Sequence, residues 1–182
     1  MLHLRPAPVQ ITYFGYPNTT GIAACDYRIV DSYTDPREPW YDALAVEKLW
    51  RLDPCFLCYS PPEGLPEPAT SPSTRGEPFT FGSFNALSKL DDLTIAMMAG
   101  AMKEVPGSRL FMKYHGLTGA SARRSIVSRF AAAGIGEERL LLEGPEPNAA
   151  AMMPHYARMD VMLDSYPYHG TTTTCEALYM GV

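Results

Sequence analysis

Long apolar runs, abundant cysteine and a positive net charge are all missing from this sequence of 182 residues. No apolar run approaches the roughly 18–20 residues that a membrane-spanning helix needs, and no apolar signal-peptide segment follows the N-terminus. Four cysteines are too few for a disulfide scaffold, so we expect a reducing, cytoplasmic environment. The net charge of −5 argues against sequence-independent nucleic-acid binding, which needs a basic face.

Several familiar cofactor motifs are also missing. Neither a P-loop nor a Gly-x-Gly-x-x-Gly motif occurs, which disfavours ordinary ATPases and dinucleotide-binding enzymes. Cys55 and Cys58 form a Cys-x-x-Cys pair, but no second pair completes a zinc site. We place this pair in a strand, where residues three apart point to opposite faces. We therefore predict no metal site.

Proline, by contrast, is plentiful and unevenly distributed. Seven of the 17 prolines fall between Pro54 and Pro78. This density excludes a helix or a central strand and predicts a semi-extended connector over residues 60–77. The connector divides the chain into an N-terminal part, residues 1–59, and a C-terminal part, residues 78–182.

The N-terminal part contains few predicted elements. Alternating apolar and polar residues predict strands near residues 9–13 and 27–30, and a third at 55–59. The helical spacing of Leu44 with Lys48, and of Val46 with Trp50, predicts a helix over residues 38–50. This is too little for a whole domain, because three strands would leave bare sheet edges.

The C-terminal part alternates regularly between strand and helix. Strands are predicted at 79–84, 109–113, 139–142 and 160–163, and helices at about 91–105, 121–133, 148–156 and 173–180. This alternation predicts an α/β fold with a parallel, Rossmann-like sheet flanked by helices. The sequence stops directly after a predicted helix, where the alternation of strands and helices predicts another strand. We therefore expect a fragment truncated at both ends.

The carboxyl ends of parallel strands share one sheet edge, where ligands bind. After the fourth strand, Gly170 and four threonines lead directly into a helix, whose free amides favour an anion such as phosphate. Lys89 and Lys113 would bring positive charge to this edge, and Glu176 would accept hydrogen bonds from ribose hydroxyls. These features suggest a nucleotide diphosphate, although a threonine run also serves simply to begin a helix.

Several long motifs, in order along the chain, resemble the catalytic region of the SPINDLY / O-GlcNAc transferase family. They are residues 5–10 (RPAPVQ), 15–21 (GYPNTTG), 26–29 (DYRI), 81–85 (FGSFN) and 163–178, which includes GTTTTCEAL. The resemblance implies a partial GT-B glycosyltransferase fold. Residues 1–59 would then end the N-terminal catalytic lobe, and residues 78–182 would begin the nucleotide-sugar-binding lobe.

The resemblance also implies a set of nucleotide-sugar-binding residues. Lys89 matches the family's diphosphate-contacting lysine, Glu176 its ribose-binding acidic position, and Gly144 with Pro145 the loop that faces the base. The complete set is Asn85, Lys89, Gly144, Pro145, Gly170, Thr171, Thr172, Thr173 and Glu176. Two positions depart from the O-GlcNAc transferase pattern, Ala86 where a Gln stands and Thr171 where a His stands.

From this resemblance we expect part of a protein O-glycosyltransferase that transfers a sugar to Ser/Thr hydroxyls. The donor is UDP-GlcNAc or, as in the SPINDLY branch, GDP-fucose. No metal is expected, and the family's proposed catalytic base lies upstream, so no general base is assigned and the isolated chain is expected to be inactive. The expected partners are the nucleotide-sugar donor, a protein acceptor, the rest of the catalytic region and upstream tetratricopeptide repeats, with neither nucleic acid nor membrane.

Two alternatives remain open from the residues alone. The chain would act as a non-catalytic nucleotide-binding fragment if the missing base and the unfinished sheet prevent turnover. Alternatively, the parent enzyme would glycosylate a glycan or a lipid instead of a protein. Upstream tetratricopeptide repeats would favour a protein acceptor.

Overall fold

Two parallel β-sheets organise the chain, one in each of two units that span Met1–Cys58 and Tyr59–Val182. The computed structural model describes residues 2–182. Every strand pairing in both sheets is parallel, and helices follow the strands. The predicted α/β class is confirmed.

The first unit contains a three-stranded sheet and one short helix. Its strands are β1 (Ile11–Thr12), β2 (Tyr27–Val30) and β3 (Lys48–Arg51), paired in that order, and helix α1 covers Pro39–Ala43. Buried Glu47 stabilises the loop before β2, because its carboxylate accepts the Thr19 hydroxyl and the Thr20 amide, each at 2.7 Å.

The helix predicted over residues 38–50 is wrong beyond its first turns. Helix α1 ends at Ala43, and the next residues form β3, in which Trp50 pairs with Ile29. The Trp50 ring also packs edge-on against Tyr27, with centroids 5.9 Å apart. The helical spacing is a weak local preference, and strand pairing with β2 together with this aromatic contact outweighs it.

The strand predicted at residues 55–59 is also wrong. These residues form a loop whose Phe56 amide donates to the Asp31 carboxylate at 3.1 Å. A side-chain acceptor therefore replaces the ladder partner that a strand would need. Cys55 and Cys58 are exposed free cysteines in this loop.

The second unit contains a four-stranded parallel sheet with helices on both faces. Its strands are β4 (Thr80–Ser83), β5 (Arg109–Lys113), β6 (Leu140–Glu143) and β7 (Val161–Met162), and its helices are α2 (Asp92–Glu104), α3 (Ala120–Ala132), α4 (Ala149–Met152) and α5 (Thr172–Tyr179). The order across the sheet is β6-β5-β4-β7. The four strands and four helices predicted for this region are confirmed, with β7 and α4 shorter than expected.

Strand β5 shows how the sheet separates two apolar layers. Leu110 and Met112 join the cluster formed with α2 and α3, whereas Phe111 between them joins the cluster that includes Tyr156 and α5. All three residues are at most 1% exposed. A parallel strand covered on both faces needs a continuous apolar run, which explains the sequence Leu-Phe-Met.

Glycine at position 82 of β4 allows the chain after α4 to lie directly against the sheet. A Cβ atom at Gly82 would collide with the side chain of Met159, which is 1% exposed. The absence of a side chain therefore lets Met159 fill the space above the middle of β4.

Residues 60–77 belong to the second unit and are tied to its sheet. A 3-10 turn covers Ser73–Arg75, and the Ser73 amide donates to Asp160 at 2.9 Å. The other Asp160 carboxylate oxygen accepts the Thr80 amide at 2.8 Å. Burial opposes ionisation of Asp160, but these donors outweigh it and lower the pKa of the carboxyl group. Asp160 thus links the proline-rich segment to the beginning of β4.

Candidate functional site

The strand order of the second unit creates a switch point beside β4. From β4 the chain crosses to β5 and then β6 on one side, and it returns to β7 on the other side of β4. In open parallel sheets, ligands bind outside the carboxyl ends of the strands where the crossover direction reverses. The segments that leave β4 and β7 therefore flank the candidate site, which we call the β4/β7 crevice.

Asp164 connects these two segments. Its Oδ1 atom accepts the Asn85 side-chain amide, the Ser165 amide and the Gly170 amide, each at 2.8 Å. The loop after β7 therefore turns back so that Gly170 lies beside the end of β4. Asp164 carries no predicted role, although an Asp directly after a strand and before Ser is a sequence signal for a side-chain-capped turn.

The loop after β7 is also held by helix α2. The Thr94 hydroxyl, in the first turn of α2, donates to the Tyr166 carbonyl at 2.8 Å, and Ser165 donates to the Tyr168 carbonyl at 2.7 Å. Thr94 itself is fixed by Asp91, which caps α2 through the Thr94 amide at 2.7 Å. The loop that approaches the crevice is therefore anchored at both ends and in the middle.

Lys89 reaches into the same crevice. It ends the 3-10 turn Leu87–Lys89, and its Nζ atom donates to the His169 carbonyl at 2.8 Å. The ammonium group also lies 4.2 Å from the centroid of the Tyr168 ring. Within residues 2–182 it forms no ion pair, so its positive charge is balanced only by a neutral carbonyl and a ring face.

Gly170 directly follows His169, the residue whose carbonyl accepts a hydrogen bond from the Lys89 ammonium, and leads into the threonines of α5. Thr171 is the N-cap of α5, and the first amides of that helix have no carbonyl partner inside it. A Cβ atom at Gly170 would lie 2.8 Å from the Thr173 hydroxyl, and 2.9 Å from both the side-chain Oδ1 atom of Asn85 and the Thr174 hydroxyl. Only glycine therefore lets the backbone pass this close to β4.

The Thr174 hydroxyl is buried and has no hydrogen-bond partner among the described residues. The hydroxyl of its neighbour Thr173 donates to the side-chain Oδ1 atom of Asn85 at 3.3 Å. A buried hydroxyl without a partner costs free energy unless something else bonds to it. At the beginning of a helix, an anion is the chemistry that fits.

Glu176 lies one turn inside α5 and is 8% exposed. Its Oε2 atom accepts the Tyr156 hydroxyl at 2.8 Å, and the same hydroxyl lies 3.2 Å from the Thr173 carbonyl. Tyr156 is fully buried, and burial, together with the Glu176 carboxylate, raises the pKa of its hydroxyl above the ordinary value. The contact between Tyr156 and Glu176 has no signal in the sequence.

Gly144 and Pro145 lie directly after β6, two strand spacings or roughly 10 Å from β4. The Lys113 side chain nearby is 5% exposed and forms ion pairs with Glu143 at 3.3 Å and Glu146 at 2.8 Å. The hypothesis that Lys113 brings free positive charge to a phosphate is therefore wrong, because two carboxylates already neutralise it.

The ion pairs of Lys113 extend into a larger network after β6. The Arg158 guanidinium donates to both oxygens of Glu143, at 2.7 and 3.0 Å, and His155 contacts Glu146 at 2.8 Å. Arg158, followed by the Lys113 ammonium, lowers the pKa of Glu143 to about 2. This network holds the loop that contains Gly144 and Pro145 at the sheet edge.

The predicted residues thus separate into two groups. Six lie on the two segments that flank the β4/β7 crevice: Asn85, Lys89, Gly170, Thr171, Thr172 and Thr173. Glu176 follows one turn later in α5, and Gly144 and Pro145 lie after β6. His169 is mostly exposed, with its ring 3.7 Å from Asp164. Within residues 2–182, no three His, Cys, Asp or Glu side chains are grouped to hold a metal ion, and no helix has the length and apolarity to cross a bilayer.

Comparisons with known proteins show which proteins the chain resembles. Residues 1–58 match the family described as Glycosyl transferase family 41. The probable UDP-N-acetylglucosamine–peptide N-acetylglucosaminyltransferases named SPINDLY are 44% identical in Arabidopsis thaliana and 45% identical in Oryza sativa subsp. japonica, each over 98% of this chain and 19% of the relative. A mutant of the Thermobaculum terrenum O-GlcNAc transferase superposes with a TM-score of 0.88 at 35% identity, over 98% of this chain and 33% of that chain.

The chain is thus similar to glycosyl transferase family 41 over residues 1–58, and to SPINDLY and O-GlcNAc transferase proteins over nearly its whole length. The resemblance to the SPINDLY / O-GlcNAc transferase family is therefore confirmed, and the structural match supports the expected GT-B form of the fold. The chain spans about a fifth of the length of the curated SPINDLY relatives. A more distant relative, the probable transferase named SEC of Arabidopsis thaliana, is 29% identical over 98% of this chain.

Proposed function

We propose that this chain supplies the diphosphate-binding part of a protein O-glycosyltransferase that acts on Ser/Thr hydroxyls. The proposal depends on one observation. Lys89 donates to the carbonyl of His169, directly before Gly170 and the beginning of α5, and this contact lies at the switch point of a parallel sheet. The family-41 relatives, whose names describe peptide glycosyltransferases, support it.

The proposed role of the crevice is to stabilise the departing nucleotide diphosphate. In the transfer, the acceptor hydroxyl oxygen forms a bond to the anomeric carbon of the sugar and gives up its proton to a base that we do not assign to this chain. The bond from that carbon to the diphosphate breaks, and its electron pair leaves with the diphosphate. The Lys89 ammonium and the amides at the beginning of α5 would stabilise the developing negative charge. The Thr174 hydroxyl would gain the partner that it lacks.

The remaining predicted residues would bind the rest of the donor. Glu176 is proposed to accept hydrogen bonds from ribose hydroxyls, and Gly144 with Pro145 to face the base. We assign no general base, and both UDP-GlcNAc and GDP-fucose stay open as donors. Metal-free chemistry, a cytoplasmic location and upstream tetratricopeptide repeats stay predictions from the sequence.

Calorimetric titration of the folded chain with UDP and with GDP tests the proposal directly. We expect at least one of the two diphosphates to bind, and the tighter one identifies the nucleotide of the donor. A sample that is folded by circular dichroism yet binds neither diphosphate would contradict the proposal. Uridine and guanosine serve as controls, because they lack the group that Lys89 and α5 are proposed to hold.

A further inference from the structure

The contact between Tyr156 and Glu176 joins two distant parts of the proposed site. Tyr156 belongs to the 3-10 helix Met153–Arg158, which follows α4, whereas Glu176 belongs to α5. Tyr156 is fully buried in the apolar layer that also contains Phe84 and Phe111. Its ring position is therefore fixed by packing. Its hydroxyl lies 2.8 Å from Oε2 of Glu176 and 3.2 Å from the Thr173 carbonyl, so the carboxylate is the nearer acceptor.

The hydroxyl acts as a donor to this carboxylate. Burial and the neighbouring carboxylate both raise the pKa of Tyr156, so the phenol keeps its proton. The proton is donated to Oε2 of Glu176 at 2.8 Å. Among the described residues, no group donates to the second oxygen, Oε1.

Glu176 is 8% exposed, and one of its carboxylate oxygens is bound to Tyr156. Rotation of the carboxylate would break this hydrogen bond in a site that water reaches poorly. The bond from Tyr156 determines which oxygen is occupied and which remains an open acceptor. A ribose hydroxyl would supply the missing donor, since a buried carboxylate gains most from a second hydrogen bond.

We propose that Tyr156 is a positioning residue that orients Glu176 and thereby creates selectivity for ribose over sugars that lack its hydroxyls. The inference rests on the proposed function, because it requires that a nucleotide diphosphate binds at the crevice. It assigns Tyr156 no contact with the ligand. The effect on ribose selectivity passes through the carboxylate of Glu176, whereas loss of the contact with the Thr173 carbonyl would act on ribonucleotide and dideoxynucleotide alike.

The test compares nucleoside diphosphates with and without ribose hydroxyls. We expect the wild-type chain to bind GDP or UDP about tenfold or more tightly than the matching 2′,3′-dideoxy diphosphate, as for a hydrogen bond to a charged acceptor. In Tyr156→Phe, the preference for the ribonucleotide should fall below about threefold, with a smaller effect on the affinity for the dideoxy diphosphate. A purely structural role would weaken both ligands equally and leave their ratio unchanged.

Glu176→Gln provides a second variant that keeps the size of the side chain. With Tyr156 in place, the amide oxygen accepts the phenol proton and the amide nitrogen occupies the open position, so the preference for ribose should again be lost. Retention of the preference in folded Glu176→Gln or Tyr156→Phe would overturn the inference. If the wild-type chain binds neither GDP nor UDP, the proposed function fails as well, which distinguishes the two failures.

Discussion

Lys89 and Lys113 lie at the same edge of one sheet, but the structure surrounds them differently. The Lys113 side chain is 5% exposed and is matched by the carboxylates of Glu143 and Glu146. The Lys89 ammonium group, beside β4, forms no ion pair with a described residue; it donates to the His169 carbonyl and lies against the ring of Tyr168. A buried cation needs carboxylates to offset its desolvation, whereas a cation without them keeps its charge available for a ligand.

Of the variants considered, Lys113→Ala is expected to cause the largest loss of stability, although Lys113 has no proposed ligand. Lys113→Ala would leave Glu146 without its cation and Glu143 with Arg158 alone. We expect the free energy of unfolding to fall by about 1–2 kcal/mol, because the buried Lys113 ammonium loses its hydrogen bonds to carboxylates that are 35% and 27% exposed. Urea denaturation measures this change, with the exposed Lys103→Ala as the matched control. A loss no greater than that of Lys103→Ala would show that the carboxylates do not depend on Lys113.

Lys89→Ala sharpens the comparison in the opposite direction. Its removal should weaken the affinity for the diphosphate that binds by about tenfold to a hundredfold, since a charge-assisted contact is lost. The free energy of unfolding should change by less than about 1 kcal/mol. Calorimetry with the diphosphate and with its nucleoside measures both affinities. Equal losses for the diphosphate and the nucleoside would contradict the assignment of Lys89 to the diphosphate.

Gly170→Ala tests whether the close approach of the loop to β4 matters. The added Cβ would lie within 2.9 Å of three oxygen atoms, so Thr173 and Thr174 must move. We expect about a tenfold loss of diphosphate affinity, because the first turn of α5 shifts. Gly100→Ala in α2 is the matched control: a Cβ there meets nothing within 4 Å, and alanine should stabilise the helix by about 0.5–1 kcal/mol. Unchanged affinity in Gly170→Ala would mean that the ligand does not need this geometry.

The smallest expected effect is a dependence of stability on pH at the β6 end. The pKa of Glu143 is about 2 in the folded chain and 4.5 when unperturbed. A carboxylate with a lowered pKa stabilises the fold above about pH 4.5, and this contribution is lost as pH falls from 4.5 towards 2. Glu143→Gln should therefore flatten the fall in urea midpoint over this window. Parallel curves for the variant and the wild type would assign the acid sensitivity to other groups.

The alternating strands and helices of the second unit could be predicted because each element has its own sequence pattern. The run Leu110-Phe111-Met112 is apolar throughout, and Asp91 begins α2 as a side-chain cap. The approach of Lys89 to the segment before α5 followed from the rule that parallel strands share an edge. These predictions needed no knowledge of the order of the strands.

Other features depend on contacts between distant residues and could not be predicted. Trp50 lies in a strand because β2 lies beside it, and Lys113 is neutralised because Glu143 and Glu146 face it. The sequence shows a helical spacing and a lysine, but it does not show their neighbours. The link from Tyr156 to Glu176 is hidden for the same reason.

The contacts around the crevice join residues that are far apart along the chain. Lys89 and His169 are separated by 80 positions, and Asn85 and Thr173 by 88. An unfolded chain does not bring these groups together, so a ligand that needs both sides recognises only the native state. Such a ligand raises the melting temperature in proportion to the logarithm of its concentration. A thermal-shift screen of nucleoside diphosphates would therefore report on occupancy of the crevice without requiring any turnover.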